Sequence, residues 1–159
     1  MLTVRYIRYS CFGSDVRCRA YSMAGADIGK NVTIRPNVSL TNCSGIVIGE
    51  NSFVGENTII SATDSTITIE ANVLIAPNCI FVARTHEFHG LEAINSLGYA
   101  SRPIILESGS WIGANVTILY GVTLGGFSVV AANSVLNKSF PQHSVVGGIP
   151  CKLLKSRGR

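Results

Sequence analysis

From Leu106 onward an aliphatic residue returns at every sixth position: Leu106, Ile112, Ile118, Leu124, Val130 and Leu136 open the segments LESGSW, IGANVT, ILYGVT, LGGFSV, VAANSV and LNKSFP. The fifth place of each segment holds Ser110, Val116, Val122, Ser128, Ser134 and Phe140, small or apolar with one bulky exception. The same frame opens at Ile28, Ile34 and Leu40, at Ile48, Val54 and Ile60 after a two-residue slip, and at Ile69, Ile75 and Phe81 after another. A period of six fits neither the 3.6 of an amphipathic helix nor the 2 of an alternating strand. It predicts short strands separated by corners, with the first and fifth residues pointing inward and stacking on equivalents one turn above and below. Second places are often Gly (Gly29, Gly49, Gly55, Gly113, Gly125) and fourth places often Asn (Asn31, Asn37, Asn51, Asn57, Asn72, Asn78, Asn115, Asn133). Both residue types tolerate the positive φ of a tight corner. At three frames per turn, the chain holds about five coils.

The repeat breaks once at length, between His86 and Leu106, where EFHGLEAINSLGYASRPII intervenes. A loop of that length inside a compact repeat is more often functional than accidental. The expected organisation is an N-terminal segment 1–27, a β-helix over 28–140 with an inserted loop 87–105, and a C-terminal tail 141–159.

Composition narrows the class. With 47% hydrophobic residues and 13 basic against 9 acidic side chains, the 159-residue chain is expected to fold as one domain. Its apolar runs are short and residues 1–25 carry no stretch of signal-peptide type, so a cytoplasmic protein without membrane insertion is expected. Cys11, Cys18, Cys43, Cys79 and Cys151 are odd in number and lack CxxC spacing, which predicts reduced thiols used as small hydrophobes. After Glu107 there is no acid, while Lys138, Lys152, Lys155, Arg157 and Arg159 are basic, so the C-terminal part should attract anions. These cations are not interleaved with aromatics along the chain, which argues against nucleic acid as the partner.

The stretches ITIEANVLIAPNCIFVARTH, PIILESGSWIGANVTILYGVTLG and VVGGIPCKLL resemble the hexapeptide-repeat acyltransferases, and within them the galactoside and maltose O-acetyltransferases and the O-antigen or capsule sugar acetyltransferases. The resemblance covers roughly residues 28 to 155; residues 1–27 are shorter than the family's usual helical N-terminal segment. It implies an all-β chain folded as a left-handed parallel β-helix of triangular cross-section, acetyl-CoA as co-substrate with no metal, a sugar acceptor, and a homotrimer with sites between subunits.

His86 is the catalytic candidate. Acyl transfer to a hydroxyl needs a base, and imidazole is the side chain whose ordinary titration range spans neutral pH. A lone exposed His is ordinarily just surface, but in the family that this chain resembles the first His after the A-P-N strand is the general base. His89 is the weaker candidate and His143 reads as part of a surface turn. Asp64 lies where the hexad rhythm slips and reads equally as a turn residue or, by resemblance, as an acceptor contact. Glu56 stands where the family has Asn and is a second acceptor candidate. The only tryptophan, Trp111, is expected to face outward, where it could stack on a ligand or pack on a neighbouring subunit. By resemblance Ala114 and Ala132 offer backbone contacts to the pantetheine arm, Asn137 and Lys138 lie near its distal part, and Lys152 and Lys155 replace arginines near the phosphates. Three other functions stay open: N-acetylation of a nucleotide-linked amino sugar, a zinc carbonic anhydrase of the same fold, and a scaffold without catalysis.

Overall fold

The computed structural model describes residues 13–158. Strands of two to four residues follow one another around three faces and pair in parallel with the strand one turn later. Face I holds β1 (Asp27–Ile28), β4 (Ile46–Ile48), β7 (Ile67–Ile69), β12 (Ile104–Leu106) and β15 (Thr123–Leu124). Face II holds β2 (Thr33–Ile34), β5 (Phe53–Val54), β8 (Leu74–Ile75), β13 (Trp111–Ile112), β16 (Val129–Val130) and β18 (Ser144–Gly147), with β19 (Lys152–Ser156) folded back beside β18. Face III holds β3 (Ser39–Thr41), β6 (Ile59–Ser61), β9 (Ile80–Val82), β14 (Thr117–Leu119) and β17 (Val135–Leu136). The chain visits I, II and III in turn, as a left-handed parallel β-helix, against the usual right-handed crossover preference.

Of the frame-opening aliphatics and Phe81, all but Ile28 are at most 2% exposed. The column is therefore in the expected register, with the fifth-place residues inside as well: Val116, Val122, Ser110, Ser128 and Ser134 are buried. The inward serines are satisfied at the corners, Ser110 Oγ donating to the Glu107 carbonyl (2.7 Å) and Ser128 Oγ to that of Pro141 (3.2 Å). Their hydroxyls thus fill space that an apolar side chain would fill and close the corner besides.

The two corner residues act differently. The eight fourth-place asparagines all have φ between 56° and 62°, as expected for αL corners. The second-place glycines do not: Gly29, Gly49, Gly55, Gly113 and Gly125 are absent from the positive-φ positions. They are required by close approach instead, since a Cβ on Gly55 would stand 2.5 Å from the Pro77 nitrogen and one on Gly113 2.6 Å from that of Ala132.

Both ends are tied down. Helix α1 (Ser14–Met23) lies over the first coil, with Arg17 Nε donating to the Ile34 carbonyl and the buried Tyr21 hydroxyl to that of Val38, each at 2.7 Å. Beyond residue 140, in the expected tail, β18 adds a further parallel rung to β16 and β19 returns antiparallel to it. Cys18, Cys43, Cys79 and Cys151 are free thiols, each with its pKa raised chiefly by burial, while Cys11 lies outside the described residues.

Candidate active site

The break in the repeat sits on the edge between faces III and I. After β9 the chain does not turn into face I; it continues as β10 (Arg84–His86) and returns as β11 (Tyr99–Ser101), an antiparallel ribbon paired Arg84 to Ser101, Thr85 to Ala100 and His86 to Tyr99. The Arg102 amide donates to the Ala83 carbonyl (3.0 Å) and closes the neck before β12 resumes the column. The inserted loop is thus partly ordered as a strand pair.

Side chains two apart on a strand share a side, and directly paired residues share one too. Arg84, His86 and Tyr99 accordingly meet. The His86 and Tyr99 ring centroids are 4.4 Å apart at a 43° tilt, and the Arg84 Cζ lies 3.3 Å from the Tyr99 centroid. Asp64, on the corner one coil earlier with φ 54°, forms an ion pair with Arg84. His86 is exposed and opens onto a cleft of about 320 Å³ whose polar lining includes Ser61, Thr63 and Thr85. Arg84 and Tyr99 went unread in the sequence, although the spacing Arg-x-His marks one side of a strand.

The other expected site residues divide between edges. His89 is exposed beyond the ribbon, its ring 4.6 Å from that of Phe88, and does not line the cleft. Asn137 and Lys138 follow β17 and lie further down the III/I edge. There three cations stand over aromatic rings, Arg84 over Tyr99, Arg102 over Tyr120 and Lys138 over Phe140. In the first two of these pairs the fold brings together a charge and a ring that the sequence keeps apart.

Glu56 lies on the II/III edge, one face away from His86. Its carboxylate is held below the ordinary range by a hydrogen bond from its own backbone amide and by Arg35, whose Nε donates to Oε1 at 2.7 Å. Down that edge follow Ala114, Ala132 and the turn into Lys152, the Asn133 amide donating to the Ala114 carbonyl (2.9 Å). On the adjoining face II, Trp111 faces outward, 48% exposed, and pairs in register with Val129, which pairs with Val145 and that with Lys155. One outward row thus runs from the indole to a lysine, beside an edge of small residues. A long flexible ligand ending in phosphates matches that chemistry: an aromatic face and small residues above, ammonium groups below.

His143 is on the I/II edge, stacked on Phe127 at 5.6 Å, so the three histidines are not brought together. Among the described residues no three His, Cys, Asp or Glu side chains gather as a metal-ligand set, and no helix is long and apolar enough to cross a membrane.

Comparison with known proteins agrees with the fold. Residues 45–81 and 103–138 match the family model described as the hexapeptide repeat of succinyl-transferase. The chain is 38% identical over 130 residues to the galactoside O-acetyltransferase of Escherichia coli K12, covering 82% of this chain and 63% of that protein, so it spans under two thirds of that relative's length. It is 32% identical over 143 residues to the putative colanic acid biosynthesis acetyltransferase WcaF of the same organism, covering 89% of this chain and 76% of the relative. Among solved structures, a hexapeptide-repeat-containing acetyltransferase of Vibrio cholerae O1 biovar eltor complexed with acetyl coenzyme A superposes with a TM-score of 0.88 at 29% identity, over 99% of this chain and 84% of that one. On the repeat, the three-faced column and these relatives together, the chain belongs to the hexapeptide-repeat acyltransferases.

Proposed function

We propose that the chain is an acetyl-CoA-dependent O-acetyltransferase acting on a hydroxyl of a sugar or polysaccharide precursor, with His86 as general base. The observation that carries the reading is the exposed His86 imidazole at the mouth of a polar cleft, where the one long break in the repeat departs. His86 would take the acceptor's hydroxyl proton as its oxygen attacks the thioester carbonyl, and the proton would pass to the leaving thiolate as the C–S bond breaks. Transfer is direct, with no acyl-enzyme. Asp64, Glu56 and His89 are proposed on the acceptor side. Trp111, Ala114, Ala132, Asn137, Lys138, Lys152 and Lys155 are proposed on the donor side.

Each set is split between two edges of one chain: His86 and Asp64 stand with Asn137 and Lys138 on III/I, and Glu56 stands with Ala114 and Ala132 on II/III. The reading therefore includes a homotrimer in which the III/I edge of one subunit meets the II/III edge of the next, completing each site. Similarity to a galactoside acetyltransferase and to a colanic acid acetyltransferase supports a carbohydrate acceptor. The test is turnover of acetyl-CoA against a panel of sugars and nucleotide-linked amino sugars, by wild type and His86→Ala. Acetylation of a sugar hydroxyl, lost in the variant, is the expected result; transfer confined to an amino group, or a fully active variant, overturns the reading.

A further inference from the structure

The base must also be aimed. We propose that Tyr99 is a positioning residue for His86, its ring clamped by the Arg84 guanidinium so that the imidazole keeps one direction over the cleft; this rests on the reading of His86 as the base.

A ribbon with three residues in each strand is too short to hold its own geometry in water. Two contacts tie it to the column: the amide of Arg102 on the Ala83 carbonyl at the neck, and the Arg84–Asp64 ion pair. Asp64 itself sits on a left-handed corner between Ala62, whose amide donates to the Thr41 carbonyl, and Ser65, whose amide donates to the Ala62 carbonyl. From that anchor a chain of contacts runs outward: carboxylate to guanidinium, guanidinium over the Tyr99 ring at 3.3 Å, and ring to imidazole at 4.4 Å. Arginine suits the middle place because its planar group can donate from the edge to a carboxylate while its face lies on a ring. Lysine has no such face. The Tyr99 hydroxyl makes no hydrogen bond among the described residues, so the ring carries the contact and Phe should serve as well.

The experiment pairs a signal that needs no acceptor with kinetics. The His86 Hε1 proton, assigned by its loss in His86→Ala, lies beside an aromatic ring and should be displaced by its ring current. In Tyr99→Ala the signal is expected to move toward its free-histidine position, and kcat to fall about tenfold or more, as misaimed groups cost, with KM for acetyl-CoA within about twofold. Tyr99→Phe should keep both signal and rate. Arg84→Lys should keep the charge yet shift the signal part-way. If Tyr99→Ala does not fold, Tyr99→Leu fills the space without a ring current, and the same shift and the same fall in kcat are expected of it. An unmoved His86 signal in the ringless variant, or Tyr99→Phe as impaired as Tyr99→Ala, overturns the inference. A fully active His86→Ala beside a ring-dependent signal would instead overturn the assignment of the base and leave the stack standing.

Discussion

The II/III and III/I edges are turned out by the same repeat, yet they treat their corner residues in opposite ways. Along II/III, Asn37, Asn57, Asn78, Asn115 and Asn133 occupy successive αL corners, and their amides bond to one another: Asn37 to Asn57 at 3.2 Å, Asn57 to Asn78 and Asn115 to Asn133 at 3.1 Å. Along III/I the αL corners start with Asn42 and Asp64, then the column opens into the β10–β11 ribbon. A corner that satisfies its own polar groups leaves the edge beside it smooth beyond the Arg35–Glu56 pair, where Ala114 and Ala132 follow, suited to an extended ligand. A broken corner projects charged and aromatic side chains past the coils, tied to the column at Asp64. On the proposed reading, regularity supplies the donor track and the interruption supplies the chemistry.

Both edges depend on the shared core, so the largest effect should come from breaking it. Val130→Asp places a carboxylate at a position that is 0% exposed, among stacked aliphatics. The cost is several kcal/mol, comparable to the stability of an ordinary domain. Aggregation or loss of the thermal transition is expected; a soluble protein melting like wild type would mean the column is out of register.

The next effect separates the edges. His86→Ala should lower acetyl transfer at least ~100-fold while leaving the melting temperature unchanged, whereas His89→Ala, outside the cleft, should cost much less. Equal activities of the two variants would remove the functional distinction of the broken edge. Lys152→Ala with Lys155→Ala should instead weaken acetyl-CoA binding several-fold in calorimetry, with the loss shrinking at high salt because exposed charges are screened. Removing the ribose phosphate from the donor should mimic the double variant, and unchanged affinity would detach β19 from the donor track.

Two smaller effects test how self-sufficient the regular edge is. The folded-state pKa of Glu56 is depressed, first by its own amide and then by Arg35, so its contribution is present above the ordinary carboxylate range and is lost as pH falls through the lowered value. Because the pair is surface-exposed, Arg35→Ala should reduce the acid-side stability only slightly, measurable as a weaker dependence of melting temperature on pH. Asn115→Asp should matter least. Its αL backbone suits Asp, and the Asn133 amide can turn over to donate to the new carboxylate, so a change of under about 0.5 kcal/mol is expected.

What the sequence made readable follows from how local each cause is. The six-residue frame repeats many times within the chain, so the inward residues from Ile34 to Leu136 could be placed by counting. The αL asparagines were legible because φ preference belongs to the residue itself. The glycines were misread because their constraint comes from the next coil: Gly55 is crowded by Pro77, which sequence periodicity does not weigh. Glu56 and Asp64 are close in sequence but fall on different edges, since a full strand of face III lies between them. Arg84 and Tyr99 were hidden because they meet only through the return strand of the insert, a register set by pairing. The last rung escaped for a simpler reason. After Leu136 the counted frame lands on Gln142, whereas the column resumes two places earlier at Phe140, which bridges to Leu124, and reaches Val146 six residues on.

The neck of the ribbon has an evolutionary consequence. Ala83 and Arg102 are already joined by a hydrogen bond, so whatever lies between them is a closed excursion whose entropy grows only with the logarithm of its length, about 0.6 kcal/mol for each doubling. Residues 87–98 can therefore be lengthened, shortened or exchanged while the coils above and below keep their stacking. On the proposed reading, in which His89 of the insert meets the acceptor, rewriting this one excursion would change the molecule modified and leave the donor track untouched.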